Sequence, residues 1–371
     1  MAARALPSAE EQLVFLGKLQ RLFTESDFTA TYKFALLMAL ADLAVELGAD
    51  DGEELALSIR QIAERFIQLY WRQALPYGTG RANTSPGILV QNNGAQAAVV
   101  SAIVAFRTRH GAATPQLARA LPEYPALLGA VAQTVSAQPL NYLQNFGGLS
   151  DAFLYERAGA GQIKLKPGAA YCLRRFQPLV QQLTRSHWVA HIKRNSRNAG
   201  VLGQADDLED FLFAASRQSL FVMGQGLRKL EGSRCFYCAQ ALTEADVDHF
   251  VPFSQYPRDL AHNFVLTHPT CNRSKSDTLA AGPHLERWLE RIGRHTDALS
   301  EIGMAAGMLA DAQVSRKIAA WGYGGSHRAR RQCLAGAWPL RGHRPALQRL
   351  FHALTRVGRR RLPARFDSRV G

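Results

Sequence analysis

Two short pairs of metal-type ligands constrain this sequence more than any other feature. Cys235-x2-Cys238 and His268-x2-Cys271 share one internal spacing and stand 29 residues apart. Structural zinc takes four tetrahedral ligands, usually as two close pairs from two tight turns, because one short loop cannot wrap the ion. A fold that uses both pairs must bring two turns together and close the intervening segment into a small unit. The chain has five cysteines, and the other two, Cys172 and Cys333, are isolated. An odd number with three clustered argues for metal ligands over a disulfide framework. The competing reading is three buried cysteines and a hydrogen-bonded His268.

Between and behind the pairs, VDHFVP and FVLTH read as short strands and CNRSKSDTLAA as a helix with Asn272 in its first turn. The order is strand, loop, strand, helix, with a ligand pair at each end. The residues inside it suit phosphodiester cleavage. His249 can take a proton from water near neutral pH. Asp248 and Asn272 are hard oxygen ligands suited to a partly hydrated Mg²⁺, which would neutralise charge on a scissile phosphate.

The arrangement Cys-x2-Cys, Asp248-His249-x2-Pro252, Asn263-x2-Leu266, Cys271-Asn272-x2-Lys275 resembles the HNH endonucleases, whose catalytic unit is the ββα-metal fold. The run NRSKSD is similar to the corresponding stretch in the HNH domain of RNA-guided CRISPR effector nucleases. The resemblance covers about 45 residues of the chain. It implies that His249 is the general base, that Asp248 and Asn272 hold Mg²⁺ or Mn²⁺, and that Asn263 braces the loop and helps to orient His249. Adjacent residues of a regular strand face opposite ways, so the resemblance requires a strand end or irregular backbone at Asp248–His249. Pro252 is consistent with an early end. Lys275, one turn past Asn272, reads either as a phosphate contact or as a solvated lysine, and Arg273 beside it as a second contact. His262 and His284 match nothing in the motif and read as surface residues.

The rest of the chain reads as mainly helical. Leu55, Ile59, Ile62, Phe66 and Tyr70 recur at spacings of three and four, which predicts one buried helix face. Gly, Pro and Asn break the pattern at LPYGTGRANTSPG and QNNG, before a second helix at AQAAVVSAIVAFRTR. FLYE and QIKLK suggest a small hairpin, and Pro178 should kink or restart the helix that follows. Asp207 to Leu230 reads as a connecting helix. The expected division is a helical recognition or regulatory domain at 1–225, the nuclease unit at 226–285 and a basic region at 286–371. No internal repeat is visible.

Charge adds a partner. The formal net charge is +14, and Pro283 to Gly371 holds 17 basic against 6 acidic residues, leaving 27 against 24 before it. Such an excess favours nucleic acid, DNA or RNA, over a neutral partner. Arg330 and Arg331 lie in this region, whose residues 326–371 carry 12 Arg against the single acid Asp367. Arg174, Arg175, Lys193, Arg194 and Arg197, with Trp188 as an aromatic platform, form a second candidate face, or an ordinary solvated one. The most apolar run, Phe34 to Leu47, contains Asp42 and Glu46 and is too short for a bilayer, and the N-terminus lacks a signal pattern. The expectation is a cytoplasmic DNA endonuclease that resembles restriction or phage-defence nucleases and works with defence-system partner proteins. The alternatives are a non-catalytic zinc module that binds nucleic acid, and a nuclease acting on RNA.

Overall fold

A computed structural model of the chain describes residues 5–78, 85–159, 161–203 and 207–329. Arg330, Arg331 and the remainder of the Arg-rich stretch lie outside the described residues.

The first half is built around one apolar helix. α1 (Ala9–Glu25) starts at a capping box in which Ser8 and Glu11 satisfy each other's backbone N–H, and it buries Phe15, Leu19, Leu22 and Phe23. α2 (Tyr32–Leu47) is apolar all round and is buried on every face, as such a helix must be. The stripe predicted from Leu55 to Tyr70 divides: β1 (Leu55–Ser58) is a strand, and α3 (Ile59–Gln73) begins where Ser58 and Gln61 form a second capping box. Ile62, Phe66 and Tyr70 are its buried face; Leu55 belongs to the strand because the cap at Ser58 stops the helix from extending backwards. α4 (Ala98–His110), α5 (Pro115–Arg119), α6 (Tyr124–Ala137) and α7 (Pro139–Tyr142) follow, with α4 and α6 packed against α3.

A two-stranded ribbon, β2 (Asn145–Phe146) and β3 (Leu149–Ser150), precedes the predicted hairpin of β4 (Tyr155–Arg157) and β5 (Gln162–Leu165). β1 adds to the other edge of β5, so the hairpin becomes a three-stranded antiparallel sheet with Leu57 opposite Ile163. α8 (Ala169–Arg175) and α9 (Gln177–Arg194) meet at Phe176, with Pro178 in the first turn of α9, the position where a missing N–H costs nothing. α10 (Ala199–Leu202) and α11 (Leu208–Phe213) complete this half. Trp188 is fully buried and donates to Gln91, so it is core and not an aromatic platform.

The second half wraps a small ribbon in helices. α12 (Arg217–Glu231) is capped by Ser216, which splits the expected connecting helix from α11. The antiparallel pair β6 (Asp246–His249) and β7 (Phe264–Thr267) is followed by α13 (Pro269–Lys275), α14 (Gly282–Ala305) and α15 (Ala312–Ala329). Met223 and Leu227 of α12 pack with Phe264 and Leu266 of β7. Leu285, Trp288 and Ile292 of α14 and Ile318 and Tyr323 of α15 pack with Phe250 and Val251. The boundaries expected after residues 225 and 285 therefore fall inside α12 and α14, and the helices of residues 286–329 dock on the unit built around β6 and β7. His262 is fully buried, with Nε2 facing the Thr296 carbonyl at 3.2 Å, and it is a core residue of this half. His284 packs its ring against Phe236 and Tyr237 instead of standing free at the surface.

A buried polar network joins the halves. Glu46 of α2 accepts from the Tyr256 hydroxyl at 2.6 Å and from Arg258 at 2.7 Å, and it also pairs with Arg65. Gln68 accepts from Arg65 at 2.7 Å and from Arg258 at 2.6 Å. Asp42 accepts from Gln181 at 2.8 Å and from Gln177 at 3.1 Å. The two acids that keep α2 from reading as a membrane span are the acids that hold the β6–β7 connection. Among the described residues no helix is long and apolar enough to cross a membrane.

Candidate functional site

The two ligand pairs meet. One ligand atom from each of Cys235, Cys238, His268 and Cys271 lies within 4.8 Å of all the others. Tetrahedral zinc with bonds of about 2.0–2.3 Å needs separations near this scale. The first turn is a knuckle in which Cys235 N–H donates to Gln240 O and Ala239 adopts a left-handed φ of 61°. The second is the start of α13, where His268 is the N-cap and Pro269 opens the helix. His268 Nδ1 lies 3.4 Å from Cys238 Sγ and 3.9 Å from Cys271 Sγ, while Nε2 lies 3.0 Å from the Ala241 carbonyl. A metal-bound histidine is held in this way, one ring nitrogen toward the ion and the other donating to a carbonyl.

The sulfurs differ in their surroundings. Burial raises the Cys235 thiol, but donors from the Cys238, His268 and Tyr237 backbone and from the Thr267 hydroxyl outweigh it and leave the thiol at about 6. Burial and the nearby Cys235 push Cys271 up to about 12. One thiolate forms readily and raises its neighbour, a tension that a divalent cation removes. The donor set of three thiols and one imidazole fits zinc.

β6 is regular through its last residue, with Asp248 opposite Val265 and His249 opposite Phe264. Asp246 and Asp248 face α13, where Asn272 donates to Asp246 at 3.1 Å and Lys275 lies 3.1 Å from Asp248. His249 faces the other way and packs its ring on Phe264 at 4.4 Å and Phe253 at 5.2 Å. Of the two alternatives expected at Asp248–His249, a strand end or irregular backbone, the strand end is found: β6 stays regular and stops at His249. Asn263 ties down the connection: its Oδ1 accepts from Val251 N–H at 2.8 Å and its Nδ2 donates to Val251 O at 2.9 Å. It holds the backbone two residues beyond His249 and not the ring itself.

Lys275 is neither a solvated lysine nor a phosphate contact. It is 1% exposed, donates to the His249 carbonyl at 2.8 Å and pairs with Asp248. Burial pushes its pKa down, against the pull of Asp248. The Tyr237 hydroxyl also donates to Asp248, at 2.7 Å, and its own ionisation is driven far up by burial and that carboxylate. Arg174 is a second correction. It is 6% exposed and donates to the carbonyls of Ala44 and Val45 at the end of α2 while pairing with Asp50, so it caps a helix and offers nothing to DNA. Arg175 and Arg273 are exposed.

Three contributors were missed from sequence. Asp246 could have been found, because it stands two residues before Asp248 and so on the same strand face. Tyr237 sits inside the Cys-x2-Cys turn and gave no signal beyond being aromatic. Asp259, whose Oδ1 lies 2.8 Å from His249 Nε2, has no spacing rule that marks it.

Residues 15–212 match the model of a domain of unknown function, DUF8808, and since this is more than half of the chain, the protein belongs to that family. Residues 237–281 match the model of an HNH endonuclease, which confirms the resemblance read from the motif. No curated protein matches the chain.

Proposed function

We propose that this protein is a metal-dependent HNH endonuclease that hydrolyses phosphodiester bonds in DNA. The observation that carries the reading is the end of β6: Asp248 and His249 are its last two residues, and Asn272 stands on the helix across from it. In this reading His249 takes a proton from water, and the oxygen so activated attacks phosphorus as the bond to the leaving oxygen breaks. Asp248 and Asn272, with Asp246 beside them, supply the hard oxygen donors that suit Mg²⁺ or Mn²⁺. A divalent cation held there would offset the charge that builds on the phosphate and the leaving oxygen. Lys275 shares the Asp248 carboxylate with any such cation. The zinc cluster fixes the knuckle and the start of α13, and so the distance from β6 to Asn272.

The N-terminal region is read as a recognition or regulatory part. A cytoplasmic setting, a role in restriction or phage defence, and partner proteins from a defence system belong to this proposal by analogy with other nucleases joined to helical regions. A second reading is a non-catalytic zinc module that binds nucleic acid, and the Lys275–Asp248 pair favours it, since that carboxylate already has a cation. Supercoiled plasmid incubated with the protein, with and without Mg²⁺, separates the readings. Nicked or linear product that requires both the metal and His249 supports the nuclease. Plasmid that is bound but stays supercoiled supports the module, and the same assay on folded RNA decides the substrate class.

A further inference from the structure

We propose that Asp259 is a positioning residue for His249, an inference that rests on the nuclease reading above. Its Oδ1 lies 2.8 Å from His249 Nε2, and both side chains are largely shielded, at 18% exposure for His249 and 15% for Asp259. An imidazole that donates Nε2–H to a carboxylate keeps its lone pair on Nδ1, and the carboxylate stabilises the imidazolium once that nitrogen has taken a proton. The ring has no other hydrogen-bond partner among the described residues. Phe264 and Phe253 limit its tilt but cannot choose its tautomer. Among the described residues, Asp259 does that.

A positioning carboxylate must itself be held, and Asp259 follows the residues most firmly tied to the first half of the chain. Tyr256 and Arg258 both donate to Glu46, and Arg185 donates to the carbonyl of Pro257 at 2.5 Å. On the far side, Leu260 bridges to Leu309. Arg72 and Arg185, from α3 and α9, lie close enough to feel the charge of Asp259. The base is thus set by a carboxylate whose loop is seated on α2, α3 and α9.

The test is single-turnover plasmid cleavage by the full chain with Mg²⁺, for wild type, Asp259→Ala, Asp259→Asn, His249→Ala and the double variant His249→Ala/Asp259→Ala. DNA affinity and thermal melting are measured alongside. Asp259→Ala is expected to slow cleavage about 10- to 100-fold, the usual cost of losing an orienting partner, with affinity unchanged. Asp259→Asn keeps the shape but loses the charge and can donate to the ring, favouring the wrong tautomer, so it too should slow cleavage at least about 10-fold. The double variant should be no slower than His249→Ala, because Asp259 acts only through that ring. Cleavage by Asp259→Ala within twofold of wild type overturns the proposal, and so does a double variant slower than His249→Ala by the full single-variant factor. Wild type that cuts nothing overturns the nuclease reading itself, and this inference with it.

Discussion

The two halves of the molecule are held together by different means. The first is a single apolar core around α2, in which Phe34 to Ala44 are buried whichever way their side chains point, the buried Asp42 being met by glutamines and Arg258. The second has a four-residue ribbon with two smaller clusters, one on each side, and a ligand set at its end. A ribbon of that length marginally supports itself, and small units of this kind depend on a metal or on packed neighbours. The first half rests on that core; the second rests on packing against α12, α14 and α15, a seat on α2 and a ligand set that fits zinc. The residues proposed for chemistry all lie in the half with the weaker intrinsic support.

The largest expected effect follows from that contrast. Structural zinc in small domains has apparent binding energies of about 10–16 kcal/mol near neutral pH. Removing it with a strong chelator, or by Cys235→Ala, should open residues 215–329 to protease while a fragment ending near residue 213 survives. Elemental analysis should give one zinc per wild-type chain and none in the variant, and Cys172→Ala should keep its zinc. Survival of both halves without metal would end the contrast.

The next effect tests the seat. Glu46→Gln leaves Arg65 and Arg258 sharing a neutral partner in a buried site, and breaking such a pair commonly costs about 3–5 kcal/mol. Because Glu46 serves both halves, chemical denaturation should show both becoming less stable. A loss confined to one half would mean that the network is local to it.

A smaller loss is expected from close approach within the second half. A Cβ at Gly226 of α12 would lie 2.5 Å from Ile302 of α14. Gly226→Ala should cost about 1–3 kcal/mol through overpacking, despite the gain in helix propensity, with zinc content unchanged. The smallest effect concerns the Arg-rich end. Deleting residues 330–371 should weaken DNA binding for all sequences alike and reduce the log–log salt slope by about 0.9 for each phosphate that the shortened chain leaves unneutralised. An unchanged slope would pass the anchoring role to exposed residues such as Arg175 and Arg273.

What the sequence disclosed also differs between the halves. Cys235, Cys238, His268 and Cys271 were legible because a metal demands ligand types at fixed spacing, and Asp248, His249 and Asn272 because a phosphodiester demands a base and hard oxygens. Those requirements are local. Lys275 looked solvated because nothing in its neighbours reveals that β6 will cover it, and Arg174 looked like a phosphate contact because the carbonyls it caps are about 130 residues away in sequence. Asp42 and Glu46 were informative only as acids in an apolar helix; their partners come from α3, α9 and the β6–β7 connection. Asp259 was silent for the same reason.

The central claim is that β6 ends in a working base. It is tested most directly by comparing wild type and His249→Ala on supercoiled plasmid with Mg²⁺, at protein concentrations where both bind DNA equally and carry one zinc. The account predicts that wild type converts the plasmid to nicked or linear DNA and that the variant is slower by about 10²- to 10⁴-fold, the usual worth of a general base. Equal rates would contradict it, and the cutting would then have to come from elsewhere in the chain or from a contaminant.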